Sequence, residues 1–127
     1  MPRFTSIEIC IDCNDLNEMF DFWQKALDYV PGVTDLERYD KNDRKYLSLI
    51  DPNNQFVKII LQKVEEKKTV KDRIHLDLHC DDIEKEVSRL EILGATRVDK
   101  EPIIEQGTSW IRMKDIEDNE FCVVLSN

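Results

Sequence analysis

The stretch Arg73–Arg97, RIHLDLHCDDIEKEVSRLEILGATR, changes its hydrophobic period halfway along, and that change decides the fold. Ile74, Leu76 and Leu78 alternate with His75, Asp77 and His79, the period of a strand with one dry face. After Asp81-Asp82 the spacing lengthens. Ile83, Val87, Leu90 and Leu93 fall on one stripe of a helix, with Glu84, Lys85, Ser88 and Glu91 mostly off it. Gly94 stops the helix where a left-handed backbone is needed. Both histidines of the chain lie on the polar side of this one strand, so the chemistry is expected here.

The same strand-then-helix pattern stands near the start. From Phe4 onward Ile7, Ile9, Ile11 and Cys13 alternate with Glu8, Cys10 and Asp12. Asn14 or Asp15 caps a helix whose stripe is Leu16, Phe20, Trp23 and Leu27, widened by Met19, Phe22 and Ala26. Pro31-Gly32 closes the unit. Strands are expected over Val33–Tyr39 and Tyr46–Ile50, joined by a charged turn near Lys41–Lys45. Asp51–Asn54 reads as a turn and Val57–Leu61 as a strong strand. Beyond the charged connector Glu65–Lys71, weaker strands are expected at Thr96–Asp99 and Trp110–Met113. A loop or broken edge is expected around Glu101–Thr108, and a polar turn at Asp115–Asn119 precedes a final strand at Phe121–Leu125.

The halves repeat. A shift of 67 residues lays Ile9 on Leu76, Ile11 on Leu78, Asp15 on Asp82 and Trp23 on Leu90. A shift of 64 lays Asp51 on Asp115, Lys58 on Cys122 and Ile59 on Val123. Each half therefore reads strand, helix, then three strands. With one sheet face under each helix, the polar residues Glu8, Cys10 and Asp12 are expected to look into the same cavity as His75, Asp77 and His79.

Composition narrows the function. Eighteen basic against twenty-seven acidic residues give a net charge of -9 with no long basic run, which argues against a nucleic-acid or anionic-membrane partner. Neither a signal-peptide start nor a long apolar run is present, so a soluble, cytoplasmic protein is expected. Cys10 and Cys13 match C-x-x-C as a string. On a strand they face opposite sides, so reduced, mainly structural thiols are expected.

FDFWQKAL at Phe20–Leu27, IHLDLHCDD in the central stretch, RLEILGAT at Arg89–Thr96 and IEDNEFCVVL at Ile116–Leu125 carry a family likeness. The chain resembles the vicinal-oxygen-chelate superfamily of glyoxalase, bleomycin-resistance and extradiol-dioxygenase proteins, and most of all its glyoxalase-like domain proteins. The resemblance implies paired βαβββ modules, a homodimer and a metal-capable cavity. It also implies ligands from the first and last strands of each module. Carried over, His75 and Glu8 take the first-strand positions, while Lys58 and Cys122 fall at the last-strand ones. Lysine is a poor ligand, Cys122 can bind as thiolate, and Glu120 precedes the expected position by two residues.

The fold expected is α+β: a single domain over 1–127, with two pseudo-symmetric βαβββ modules, about 4–64 and 72–126, closing around a concave cavity. Glu8 and His75 are the candidate catalytic pair, since a carboxylate can orient an imidazole and raise its basicity with or without a metal. Asp12 and Asp77 are candidate substrate contacts, able to divide acid and base roles or simply to bond to backbone or arginine. His79 suits a rim contact, and Trp110 with Arg112 suits a planar anionic ligand. The metal set would be His75, Glu8 and Cys122 around one divalent Zn, Ni, Mn or Fe, or no metal at all. Two functions remain open: recognition or conversion of a small organic molecule, by metal-assisted lyase, isomerase or dioxygenase chemistry, and non-catalytic sequestration of a drug or metabolite.

Overall fold

The computed structural model describes residues 2–32 and 44–126. The strand expected over 33–39 and most of the charged turn at 41–45 lie outside the described residues. The chain divides into two compact units, Met1–Lys67 and Lys68–Asn127. Each is a mixed β-sheet with a helix on one face, giving the tandem βαβββ, α+β architecture.

The first unit runs β1 (Glu8–Cys13), α1 (Leu16–Leu27), β2 (Val30–Pro31), β3 (Tyr46–Ile50) and β4 (Lys58–Lys63). The sheet order is β1-β4-β3-β2, with β1 parallel to β4 and the other pairs antiparallel. Asp15 starts α1 by accepting the Glu18 amide at 3.0 Å. Asp28 ends it in the left-handed region at φ 55°. The helix buries Leu16, Met19, Phe22, Trp23 and Ala26 over β3 and β4. Phe20 and Leu27 are only half-buried, so the dry stripe is rotated from the one expected. Leu47, Leu49, Ile59 and Leu61 answer from the sheet, each burial of this kind contributing about 1.5–3 kcal/mol. β1 begins at Glu8 rather than Phe4, and Ile7 stays exposed. Along β1, Cys10 is exposed and Cys13 buried, and none of the four cysteines forms a disulfide.

The turn before β4 is built on Asp51, whose carboxylate accepts the amides of Asn53, Gln55 and Phe56 at 2.9, 2.9 and 3.1 Å. The Asn53 amide is the largest influence, and together these donors hold the carboxyl below its ordinary range against the opposing effect of desolvation. A group whose folded pKa is lowered adds stability above its unfolded pKa, and loses it as pH falls through the folded value. Asp51→Asn should therefore flatten the acid limb of a melting-temperature profile at and below the ordinary carboxylate range. An unchanged limb would mean the amide bonds persist without the charge.

The second unit runs β5 (Asp77–Cys80), α2 (Ile83–Leu93), β6 (Thr96–Arg97), β7 (Ile103–Glu105), β8 (Thr108–Lys114) and β9 (Glu120–Leu125). Its order is β5-β9-β8, with β6 and β7 both pairing with β8. Asp82 caps α2 through the Lys85 amide at 3.1 Å, and Gly94 stops it at φ 117°. Ile83, Val87 and Leu90 pack toward Ile111, Met113, Phe121 and Val123. The region expected as a loop or broken edge forms β7 and a tight hairpin, because Gln106 and Gly107 both take positive φ, 49° and 77°. β5 is shorter than expected. Ile74 is exposed, and His75 lies two residues before the strand, although the Cys122 amide still donates to the Leu76 carbonyl at 2.9 Å.

The strand registers revise one internal equivalence. Ile11 pairs with Leu61 in the first unit, and Leu78 with Val123 in the second. Leu49 pairs with Ile59, and Met113 with Phe121. The last strands are thus related by a shift of 62 rather than 64, and Lys58 corresponds to Glu120 while Ile60 corresponds to Cys122. The cause is the turn. Asp51 and Asp115 both organise their turns, but β4 starts at Lys58 and β9 at Glu120, so the second turn is two residues shorter.

No helix among the described residues is long and apolar enough to cross a membrane.

Candidate functional site

On the second sheet, alternation puts Leu76 and Leu78 on the same side as the buried Phe121 and Val123 that pack toward α2. The other side carries His75, Asp77 and His79 beside Glu120 and Cys122, with Trp110 and Arg112 on β8. Asp77 is the register partner of Cys122 on β9. His75 lies two residues earlier on the same side, and its Nδ1 is 3.0 Å from Asp77 Oδ1. A ligand atom from each of His75, Asp77 and Cys122 lies within 4.8 Å of the others, forming a candidate metal-chelating cluster.

The donor set fits a divalent ion. It offers an imidazole nitrogen, a carboxylate oxygen and a sulfur, a mixture suited to borderline metals. The two residues contributed near β5 are about half exposed, so an ion has access. Without a cation, burial first, then the Asp77 charge and its hydrogen bond, push the Cys122 thiol up to about 11, with Arg112 opposing.

Arg112 lies across from Cys122 in the β8–β9 ladder, but its guanidinium is engaged. Its Nη2 is 2.7 Å from Asp99 Oδ1, and its Nε lies 3.0 and 3.3 Å from the two Asp99 oxygens. The Arg112 amide also donates to Asp99 at 3.0 Å. Arg112 in turn, through its side-chain hydrogen bonds first and then its amide and its charge, holds the Asp99 carboxyl below its usual range against desolvation. Trp110 is half-buried on the same strand, and His79 sits exposed on β5 opposite Val124.

Sequence reasoning missed the committed state of Glu120. Its carboxylate accepts the Asp72 amide at 3.0 Å and Lys68 Nζ at 3.2 Å, while its own amide donates to Asp72 Oδ2 at 3.0 Å. Burial alone would raise the Glu120 carboxyl, but these amides and the Lys68 ammonium carry it down to about 2. Desolvation, then the Glu120 charge, raises Asp72. The signal lay in the turn length, which determines which β9 residue answers Lys58.

In the first unit, Glu8 opens β1 opposite Lys58, with the ammonium 3.6 Å from its carboxylate. Asp12 lies opposite Gln62, which donates to Tyr46 Oη at 3.2 Å and accepts weakly from Cys10 at 3.7 Å. Among the described residues the first unit has no counterpart of the His75–Asp77–Cys122 cluster.

None of the curated proteins matches the chain. Among solved structures, a fosfomycin resistance protein, FosX, from Listeria monocytogenes, a mutant form complexed with Mn(II) and 1S,2S-dihydroxypropylphosphonic acid, superposes with a TM-score of 0.76 at 14% identity, covering 100% of this chain and 95% of that one. A glyoxalase/bleomycin resistance protein/dioxygenase family enzyme from Burkholderia phytofirmans PsJN gives 0.72 at 16% identity over 93% and 95%. A hypothetical protein from S. aureus gives 0.70 at 18% identity over 98% and 100%. At these identities the likeness is one of fold. The model of the glyoxalase-like domain matches residues 8–124. That span takes in both βαβββ units from the first residue of β1 nearly to the end of β9, and the chain belongs to the glyoxalase-like domain family of the vicinal-oxygen-chelate superfamily.

Proposed function

We propose that this protein binds a small organic molecule on the polar face of the β5-β9-β8 sheet and converts it with the help of a divalent metal ion. The observation that carries the reading is the convergence of His75, Asp77 and Cys122. A divalent ion held there would polarise a substrate oxygen or lower the pKa of bound water. His79 and Trp110 flank the cluster as substrate contacts, one polar and one apolar. Arg112, held in place by Asp99, offers the guanidinium N–H groups that do not face Asp99 as hydrogen-bond donors to a polar group of the ligand. The FosX complex with Mn(II) and a phosphonate diol supports metal-associated chemistry on this fold.

Non-catalytic sequestration is the second reading. It is favoured by Glu8, at a strand position the family resemblance marks for a ligand, and by Glu120, two residues before another, each committed to a lysine. A homodimer is part of either reading, supported by the exposed Phe4, Ile7 and Phe56.

Metal content of untagged protein, purified without chelator and offered Mn, Fe, Ni and Zn separately, tests the first reading. Near-stoichiometric metal is expected, with loss in His75→Ala. Wild-type protein that stays empty under every condition would sink it.

A further inference from the structure

We propose that the second unit forms a thiolate-bearing site, His75–Asp77–Cys122, that selects a thiophilic divalent ion such as Zn2+ or Co2+ over hard Mn2+ or Mg2+. This rests on the metal-assisted reading above and specifies which ion the cluster prefers. Glu120 and Cys122 lie two residues apart on β9 and so share a face. The Glu120 oxygens are already taken by the Asp72 amide and Lys68. Cys122 is the β9 donor left beside Asp77, and the backbone fixes it there through its amide bond to Leu76. The carboxylate that would favour a hard ion is thus diverted into an ion-pair network, and a sulfur takes its part.

Geometry and charge agree. Donors around a tetrahedral ion with bonds of about 2.0–2.3 Å sit roughly 3.3–3.8 Å apart. The separations here run from 3.0 Å between His75 and Asp77 to no more than 4.8 Å, so about an ångström of side-chain rotation brings them into that range. A thiolate, a carboxylate and a neutral imidazole together offset the charge of a divalent cation. Arg112, the cross-strand neighbour of Cys122, would oppose that cation, but Asp99 neutralises it through bonds as short as 2.7 Å. As the metal–sulfur bond forms the S–H bond breaks, and its proton passes to solvent. Three protein donors leave a fourth position open for water or a substrate oxygen, the arrangement of catalytic rather than structural zinc.

Co2+ alone is the probe, added to the reduced full-length protein. A sulfur-to-cobalt charge-transfer band in the near ultraviolet should rise and saturate near one equivalent. Cys122→Ser should abolish it although Cys10, Cys13 and Cys80 remain. Zn2+ should displace the cobalt at concentrations about 100-fold or more below those Mn2+ requires. Cys122→Asp keeps an anionic donor, and there the band should vanish while the preference over Mn2+ narrows. Cobalt bound without the band, or an equal band in Cys122→Ser, would overturn the thiolate site and leave the metal reading standing. Failure of every ion to bind would remove both.

Discussion

Trp23→Ala should destabilise the protein by about 3–5 kcal/mol, the range for deleting a fully buried large aromatic. The indole is 1% exposed and meets the Phe22 ring edge-to-face, with centroids 5.1 Å apart and planes at 82°. It belongs to the buried face of α1, over Leu47, Leu49, Ile59 and Leu61, so its removal empties the centre of the first unit's core. Typical domains have about 5–15 kcal/mol of net stability, so a loss of this size takes a large share of it. Urea unfolding measures the effect. The chain has two tryptophans, and the variant keeps Trp110 as a fluorescent reporter in the second unit. Ile92→Ala, at a site 86% exposed, should stay within about 0.5 kcal/mol and serves as the control. A Trp23→Ala midpoint close to that control would mean the indole does not anchor the core.

Features encoded within a few residues of one another were legible in the sequence. A cap at Asn14 or Asp15, Gly94 as a stop and the alternation through Ile9 and Leu78 all follow from local geometry, and they suffice for two βαβββ units. The pairing of β1 with β4 and of β5 with β9 was harder, because a slip of two residues keeps every side chain on its own face. Shifts of 62 and 64 both send Ile59 to a buried, helix-facing residue, Phe121 or Val123. Hydrophobic pattern therefore could not choose between them, and the choice decides whether Glu120 or Cys122 answers Lys58. His75 and Cys122 were both read as metal-site candidates, and the structure brings them together with Asp77, a residue read as a substrate contact. Partners of charged residues were invisible for a related reason. Asp99 and Arg112 are 13 residues apart, and Glu8 and Lys58 meet only through the parallel β1–β4 pairing.

Asp115→Ala should cost about 3 kcal/mol or more, since hydrogen bonds to charged groups are each worth ~1.5–3 kcal/mol and three half-buried donors would lose this acceptor. The Asp115 side chain, in a residue 2% exposed, accepts the Glu117 amide at 2.8 Å and both the Asn119 amide and its side-chain nitrogen at 3.0 Å. Its own amide donates to the Asn119 carbonyl at 2.9 Å, so the turn is tied from both ends. Asp51 supports the corresponding turn of the first unit, where water can replace lost bonds, and Asp51→Ala should be the milder change. Asp115→Asn keeps an oxygen acceptor but loses the charge, and should fall between wild type and Asp115→Ala. Chemical denaturation gives the energies, and amide hydrogen exchange at Glu117 and Asn119 locates them. The consequence reaches the site because this turn ends one residue before Glu120, where β9 begins, and so sets the register that brings Cys122 beside Asp77. In Asp115→Ala, metal retention should fall together with protection of those two amides. A variant that loses less than about 1 kcal/mol and keeps its metal would show that the β5–β9 pairing holds the register without the turn.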